Sequence, residues 1–162
     1  MNPMSSARGH VLLVDDEPAY QRLGSSFLSG LGHRVTVAGD ADEALAAFGA
    51  DRPHVVLLDL AMPPHMDPEA GIALIPSLAP AVVVVLSGHG DRELNLRAVE
   101  LGAWDFLTKP IDPDMLGMVV ARAMHKAKLD AELARLHAQD TDQDMGLARQ
   151  TPVVEDLRAM LP

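Results

Sequence analysis

The chain has 162 residues, which is enough for one ordinary domain with a tail but not for two full domains. It contains no cysteine, which excludes disulfides and thiolate metal sites, and its formal net charge of −10 argues against direct binding to a nucleic acid. No apolar run reaches the length of a membrane span and the N-terminus carries no secretory signal, so we expect a cytoplasmic protein that does not bind membranes.

Short apolar runs alternate with amphipathic segments along the chain. The apolar runs predict five strands, at residues 10–15, 33–39, 54–60, 81–88 and 104–110. The other segments predict helices at residues 18–32, 40–50, 68–80 and 91–103, and a long helix from residue 112. Asp40 or Asp42 is the expected N-cap of the second helix. This alternation indicates an α/β fold in which helices cover both faces of a parallel sheet.

Four of the five predicted strands end beside a charged or hydroxyl side chain. Asp15 and Asp16 follow the first strand, Asp59 follows the third, Ser87 follows the fourth and Lys109 follows the fifth. Because parallel strands have their carboxyl ends at one edge of the sheet, we expect these side chains to converge there.

Three carboxylates in one place repel one another unless a cation lies between them. A hard cation with oxygen ligands, Mg²⁺ before others, is the expected partner. A nearby ammonium and a hydroxyl add donors for the oxygens of a phosphoryl group. Asp59 is then the expected nucleophile, which would form an aspartyl phosphate.

Four motifs carry a family resemblance, namely LLVDDEP, VVLLDLAMP, VLSGHGD and GAWDFLTKPI. In this order and spacing they resemble the receiver domain of two-component response regulators, over residues 10–125. The resemblance implies a doubly wound, five-stranded parallel sheet of the flavodoxin-like or CheY-like type, with strand order 2-1-3-4-5 and an extended C-terminal helix. It also implies a phosphohistidine on a sensor histidine kinase as the phosphoryl donor, and a signalling switch rather than an enzyme.

The resemblance assigns roles to the acidic residues. Asp59 is the implied phosphoacceptor, and Asp15 and Asp16 are implied to hold Mg²⁺ together with Asp59 and the backbone carbonyl of Ala61. One departure from the family lies close by, because the loop at residues 64–70 is longer than is usual before Gly71.

The resemblance also assigns roles around the last two strands. Ser87 and Lys109 are implied to contact the phosphoryl oxygens, and Phe106 is implied to be an aromatic switch that turns inward as Ser87 moves. The Lys109–Pro110 peptide bond is implied to be cis.

The GHGD and GAWDFLTKP motifs resemble receivers of the NtrC type, which precede an AAA+ ATPase module in sigma-54-dependent transcriptional activators. The last helix is predicted to run to about residue 137, within a helical or coiled-coil linker at residues 126–145. Leu129, Leu133 and Leu136 form a seam at heptad-like spacing, which predicts a homodimer. Residues 146–162 resemble the start of the AAA+ module. Since the sequence has no G-x-x-x-x-G-K-[ST] phosphate loop, we expect a fragment of a longer regulator or a degenerate tail.

Two other functions stay open at this stage. One is a Mg²⁺-dependent phosphatase of the haloacid-dehalogenase kind, although such an enzyme needs a second aspartate where this chain has Ala61. The other is a dimerisation module that works without phosphorylation. Residues 1–9 are expected to be a disordered N-terminus.

Overall fold

The computed structural model of the protein describes residues 8–60, 68–88 and 92–146. The strands are β1 (His10–Val14), β2 (Arg34–Ala38), β3 (Val55–Asp59), β4 (Val82–Ser87) and β5 (Asp105–Thr108). The helices are α1 (Pro18–Gly30), α2 (Ala41–Ala50), α3 (Pro68–Leu74), α4 (Arg92–Glu100) and α5 (Pro113–Gly146). All strand pairs are parallel and the order is β2-β1-β3-β4-β5, which confirms the predicted doubly wound sheet.

Each central strand is buried on both faces. In β1, Leu12 and Val14 belong to one apolar cluster, together with side chains from α2, α3 and α4. Val11 and Leu13 belong to a second cluster on the opposite face, together with side chains from α1 and α5. This two-sided burial explains why the strands are continuous apolar runs rather than alternating ones.

The helix predicted over residues 68–80 is shorter than expected. Helix α3 ends at Leu74, and a 3-10 turn follows at Ile75–Leu78. Pro76 lies inside this turn, and proline has no N–H to continue the α-helical ladder. Pro76 therefore contributes to the break, although the apolar periodicity predicted a longer helix.

Helix α5 is longer than its predicted end near residue 137, because it continues to Gly146. The added segment contains no glycine or proline before Gly146, so nothing in the backbone stops the helix earlier. The chain divides into two compact units, Met1–Ala127 and Lys128–Pro162.

Several predicted features lie outside the described residues. They are the Ala61 carbonyl, the loop residues 64–67, residues 1–7 of the N-terminus and residues 147–162 of the predicted AAA+ segment. Of the N-terminus, Gly9 is described, and its carbonyl accepts a hydrogen bond from the backbone N–H of Arg34. Among the helices described, none is both long and apolar enough to cross a membrane.

Candidate functional site

The carboxyl edge of the sheet gathers charged side chains from three strands. Asp15 directly follows β1, Asp59 is the last residue of β3, and Lys109 directly follows β5. The Lys109 Nζ lies 3.0 Å from an Asp15 carboxylate oxygen and 3.2 Å from one of Asp59. Three separate strand ends therefore meet at one ammonium, as the parallel sheet predicts.

The two aspartates of this group are buried, which is unusual for charged side chains. The Asp15 side chain is fully buried and Asp59 is 6% exposed. Buried carboxylates are costly unless they are paired or hydrogen-bonded, and Lys109 supplies the pairing here. The Asp15 carboxylate also accepts a hydrogen bond of 2.9 Å from the backbone N–H of Glu17, which fixes its orientation.

The pKa of Lys109 reflects these neighbours. Burial by itself lowers the pKa of the ammonium, but the hydrogen bond that the ammonium donates to the Asp15 carboxylate and the charge of Asp59 act in the opposite direction. The net result is a pKa raised to about 12. Lys109 is therefore a permanent positive charge beside Asp59 at neutral pH.

Glu17 is a member of the site that the sequence analysis missed. Its carboxylate lies 3.3 Å from the Lys109 Nζ. Oxygens of Asp15, Glu17 and Asp59 all lie within 4.8 Å of one another, whereas the half-buried Asp16 does not belong to this group. The signal was present in the sequence, because the acidic run DDE has three members and only its first two were considered.

Ser87 lies at the same edge, as the last residue of β4. Its hydroxyl is buried and makes no hydrogen bond to any residue that the structure describes. A buried hydroxyl without a partner is costly, and it is available to donate to a group bound at this edge. The Ser87 carbonyl accepts a hydrogen bond of 2.7 Å from the Lys109 backbone N–H, so the two residues are held side by side.

The first turn of helix α1 contacts the backbone of the site. The Gln21 side chain donates a hydrogen bond of 2.6 Å to the Asp15 backbone carbonyl. Pro18 occupies the first position of the helix, where its fixed φ suits the start of a helix. A hydrogen bond from the following helix therefore holds the acidic segment after β1 in place.

Phe106 lies in β5, where it pairs with Val85 of β4. Its side chain is 41% exposed. It lines an open groove of about 390 Å³ whose other walls include Pro110, Met115 and Arg122. The Lys109–Pro110 peptide bond beside this groove is cis.

The donor set of the site suits Mg²⁺. The clustered carboxylates are hard oxygen ligands, which Mg²⁺ prefers, and the described part of the cluster contains neither imidazole nor thiolate. The buried hydroxyl of Ser87 and the ammonium of Lys109 add donors for an oxyanion beside it. The residues present therefore fit Mg²⁺ as the partner of the clustered carboxylates.

Comparison with known proteins places the chain in a family. The family model for the response regulator receiver domain matches residues 11–121. The chain is 34% identical over 151 residues to the nitrogen assimilation regulatory protein NtrX of Azorhizobium caulinodans, covering 92% of this chain and 33% of that protein. It is 35% identical over 159 residues to the C4-dicarboxylate transport transcriptional regulatory protein DctD of Rhizobium meliloti, covering 96% of this chain and 34% of that protein.

Solved structures of receiver-domain proteins are also similar to this chain. The crystal structure of NtrX from Brucella abortus matches with a TM-score of 0.72 and 37% identity, over 80% of this chain and 30% of that one. The receiver domain of the same protein matches with a TM-score of 0.65 and 39% identity, over 70% of this chain and 97% of that one.

The chain spans about one third of the length of the curated relatives it matches, NtrX and DctD. The resemblance to receivers of NtrC-type sigma-54-dependent activators is confirmed by these relatives. Members of this family are signalling phosphoacceptors rather than classical enzymes, and they generally bind Mg²⁺ through acidic residues. The chain thus belongs to the response regulator receiver domain family.

Proposed function

We propose that this chain is a phosphorylation-dependent switch that accepts a phosphoryl group on Asp59. The observation that carries the proposal is the placement of a nearly buried carboxylate at a strand end, 3.2 Å from a lysine ammonium and beside an unpartnered serine hydroxyl. A nucleophile needs to be held rigidly, and a central strand of a parallel sheet does this.

The proposed chemistry is a transfer from a phosphohistidine on a sensor histidine kinase. A carboxylate oxygen of Asp59 attacks phosphorus, an O–P bond forms while the N–P bond breaks, and the leaving imidazole takes up a proton. Lys109 and Ser87 donate to the phosphoryl oxygens and so offset the charge that develops there. The chain itself supplies the acceptor and these donors, so it promotes its own phosphorylation and dephosphorylation and has no separate substrate to turn over.

We assign Mg²⁺ to Asp15, Asp16, Asp59 and the carbonyl of Ala61, with the carboxylate of Glu17 next to them. When bound, the ion supplies positive charge that offsets the phosphoryl oxygens. The clustering of these carboxylates with that of Glu17 supports the assignment for Asp15 and Asp59.

The proposed output begins at Ser87 and Phe106. Phosphorylation of Asp59 would draw the Ser87 hydroxyl towards the new phosphoryl oxygens, and Phe106 would repack on the neighbouring strand. The half-exposed position of Phe106 and the open groove next to it support this, because the ring has room to change its packing. The consequence is a shift in a two-state equilibrium.

In a complete regulator, this switch would control an AAA+ output module and thereby transcription. We further propose a homodimer through the seam of Leu129, Leu133 and Leu136, which are all exposed on α5. We expect the chain to act in the cytoplasm, because the proposed kinase reaction and transcriptional output take place there. We expect no direct contact between this chain and nucleic acid.

The two alternatives have less support. A phosphatase of the haloacid-dehalogenase kind needs an acid two residues after Asp59, and that position is Ala61. A dimerisation module independent of phosphorylation does not need charged groups gathered at the sheet edge, yet Asp15, Asp59 and Lys109 lie together there.

Native mass spectrometry with Mg²⁺ and acetyl phosphate tests the proposal. We expect a single phosphoryl adduct on the wild-type chain and none on Asp59→Asn. Asp42→Asn, which changes an exposed acid in the first turn of α2, is the matched control and should keep the adduct. A wild-type chain without adduct, or an Asp59→Asn chain with one, would contradict the proposal.

A further inference from the structure

The ammonium of Lys109 has a fourth neighbour that is not an acid. Tyr20, in the first turn of α1, is half-buried, and the Lys109 Nζ lies 4.3 Å from the centroid of its ring. The other neighbours are the carboxylates of Asp15, Glu17 and Asp59. The ammonium is therefore held between three acids and one aromatic face.

This aromatic contact differs from the three ion pairs in a way that matters for the site. The face of a tyrosine ring attracts a cation through its quadrupole, at a distance of up to about 6 Å from the centroid. The ring has no carboxylate oxygen, so it does not compete with Asp15, Glu17 and Asp59 for a metal ion. The contact can persist when the carboxylates change partners.

Apolar residues lie beside the ring. Tyr20 lines a small apolar cavity of about 10 Å³ together with Leu23, Gly24 and Ile111. A tyrosine side chain has two rotatable bonds, whereas the lysine stem is a flexible four-carbon chain. Contact with the stiffer of the two side chains therefore reduces the number of positions that the ammonium can occupy.

We infer that Tyr20 is a positioning residue for Lys109. Its ring keeps the ammonium near Asp59 when the carboxylates bind other groups in place of Lys109. The inference rests on the proposed function for its effect on phosphoryl transfer. The contact itself exists without donor or metal, so it can be tested separately.

The first test is a double-mutant cycle in metal-free buffer without phosphodonor. We expect Tyr20→Leu to lower the urea midpoint clearly in the wild-type background and to have a smaller effect in a Lys109→Met background. Tyr20→Phe, which keeps the aromatic face, should show the wild-type midpoint. Lys109→Gln provides a second neutral background if Lys109→Met does not fold.

Leu23→Ala is the matched control for this cycle, because Leu23 lies on the same helix and lines the same cavity. It should lower the midpoint equally in both backgrounds. An equal effect of Tyr20→Leu in both backgrounds would mean that Tyr20 only fills space, and would overturn the inference.

The second test measures the rate of phosphorylation by acetyl phosphate at saturating Mg²⁺. We expect the rate constant to fall roughly threefold to tenfold in Tyr20→Leu and to be restored in Tyr20→Phe, from the usual strength of such a contact. A wild-type rate in Tyr20→Leu would overturn the positioning role. If the wild-type chain takes up no phosphoryl group, the proposed function fails, while the metal-free cycle still decides whether Tyr20 holds Lys109.

Discussion

At the scale of single residues, Gly71 shows how closely a helix approaches the strand that carries the acceptor. A Cβ at this position would lie 2.7 Å from the Leu60 carbonyl oxygen and 2.9 Å from the Leu60 Cα. Leu60 directly follows Asp59, so this backbone cannot move without disturbing the site. We expect Gly71→Ala to destabilise the fold by about 1–3 kcal/mol, the usual cost of overpacking, as measured by urea unfolding.

Gly49→Ala is the control for that substitution. It lies in α2, and a Cβ there meets nothing within 4 Å. We expect it to be neutral or to stabilise by up to about 1 kcal/mol, because alanine is the better helix former. A Gly71→Ala protein as stable as Gly49→Ala would show that the contact with Leu60 relaxes at no cost.

His10 provides a prediction about pH. Burial lowers its pKa below the ordinary 6.5, and the charge of Arg34 lowers it further. The unfolded chain therefore binds the proton more readily, so His10 contributes stability above about pH 6.5 that is lost as the pH falls through 6.5 towards the folded-state value. We expect the wild-type urea midpoint to fall more between pH 7.5 and 5.5 than that of His10→Gln.

The comparison needs both proteins at both pH values, because His10→Gln also loses the 2.7 Å contact between the His10 Nε2 and the Thr36 hydroxyl. That loss is present at either pH and cancels in the difference. Parallel midpoints for the two proteins over this range would contradict the assignment to His10.

The positions of site residues could be predicted where they follow directly from the pattern of apolar strands. Contacts that depend on how helices pack could not be predicted. Asp15, Asp59 and Lys109 follow apolar runs, so their position at the sheet edge could be predicted from the strands. The contact between Tyr20 and Lys109 could not, because it depends on how α1 packs beside the sheet. Glu17 is an intermediate case, since its acidity is visible but its participation depends on the geometry after β1.

At the scale of elements, the start of α2 shows a cap that the sequence narrowed to two candidates. The structure selects Asp40, whose carboxylate accepts a hydrogen bond of 2.8 Å from the Glu43 backbone N–H. The Glu43 side chain in turn accepts one of 2.9 Å from the Gly39 N–H. The first bond satisfies a donor that the helix leaves open in its first turn, and the second joins that turn to the residue before the cap.

We expect Asp40→Ala to destabilise the protein by about 1 kcal/mol in urea unfolding, within the usual range of a lost N-cap. Asp40→Ser retains a side-chain acceptor and should lose much less. If the alanine and serine variants were equally stable, the side-chain bond to Glu43 would not contribute to the helix.

The elements themselves were predicted with differing success. The strands were the clearest, because burial on both faces leaves a run such as residues 82–86 uniformly apolar. The end of α3 followed from Pro76 only in part, since periodicity alone continues past it. The extension of α5 to Gly146 was missed because its last segment is polar, and polar segments carry no helical period.

At the scale of the whole molecule, periodicity predicted a parallel sheet, but the strand order came from the family resemblance. Many orders are compatible with five alternating strands and helices, and the choice depends on crossovers that no local pattern encodes. The register of the pairs, for example Asp59 opposite Leu86, is likewise a property of the assembled sheet.

The last feature at this scale is the exposed seam of α5. Leu129, Leu133 and Leu136 are 50%, 47% and 41% exposed, although leucine is a residue that folding usually buries. Their spacing places them on one face of the helix, as in a coiled-coil interface. We expect the triple variant Leu129→Gln, Leu133→Gln, Leu136→Gln to shift the protein from dimer to monomer in sedimentation analysis. Glutamine has nearly the helix propensity of leucine, so the change acts on the seam rather than on the helix.

The opposite face of the same helix supplies the control. Ala131, Ala134 and Ala138 are exposed and lie away from the seam, so their triple replacement by glutamine should leave the dimer fraction unchanged. The seam lies in the unit that starts at Lys128, so the urea midpoint of the receiver, measured in the monomeric range, should be the same in both triple variants. A wild-type chain that is monomeric at every concentration, or a seam variant that still dimerises, would show that the dimer does not form through this helix.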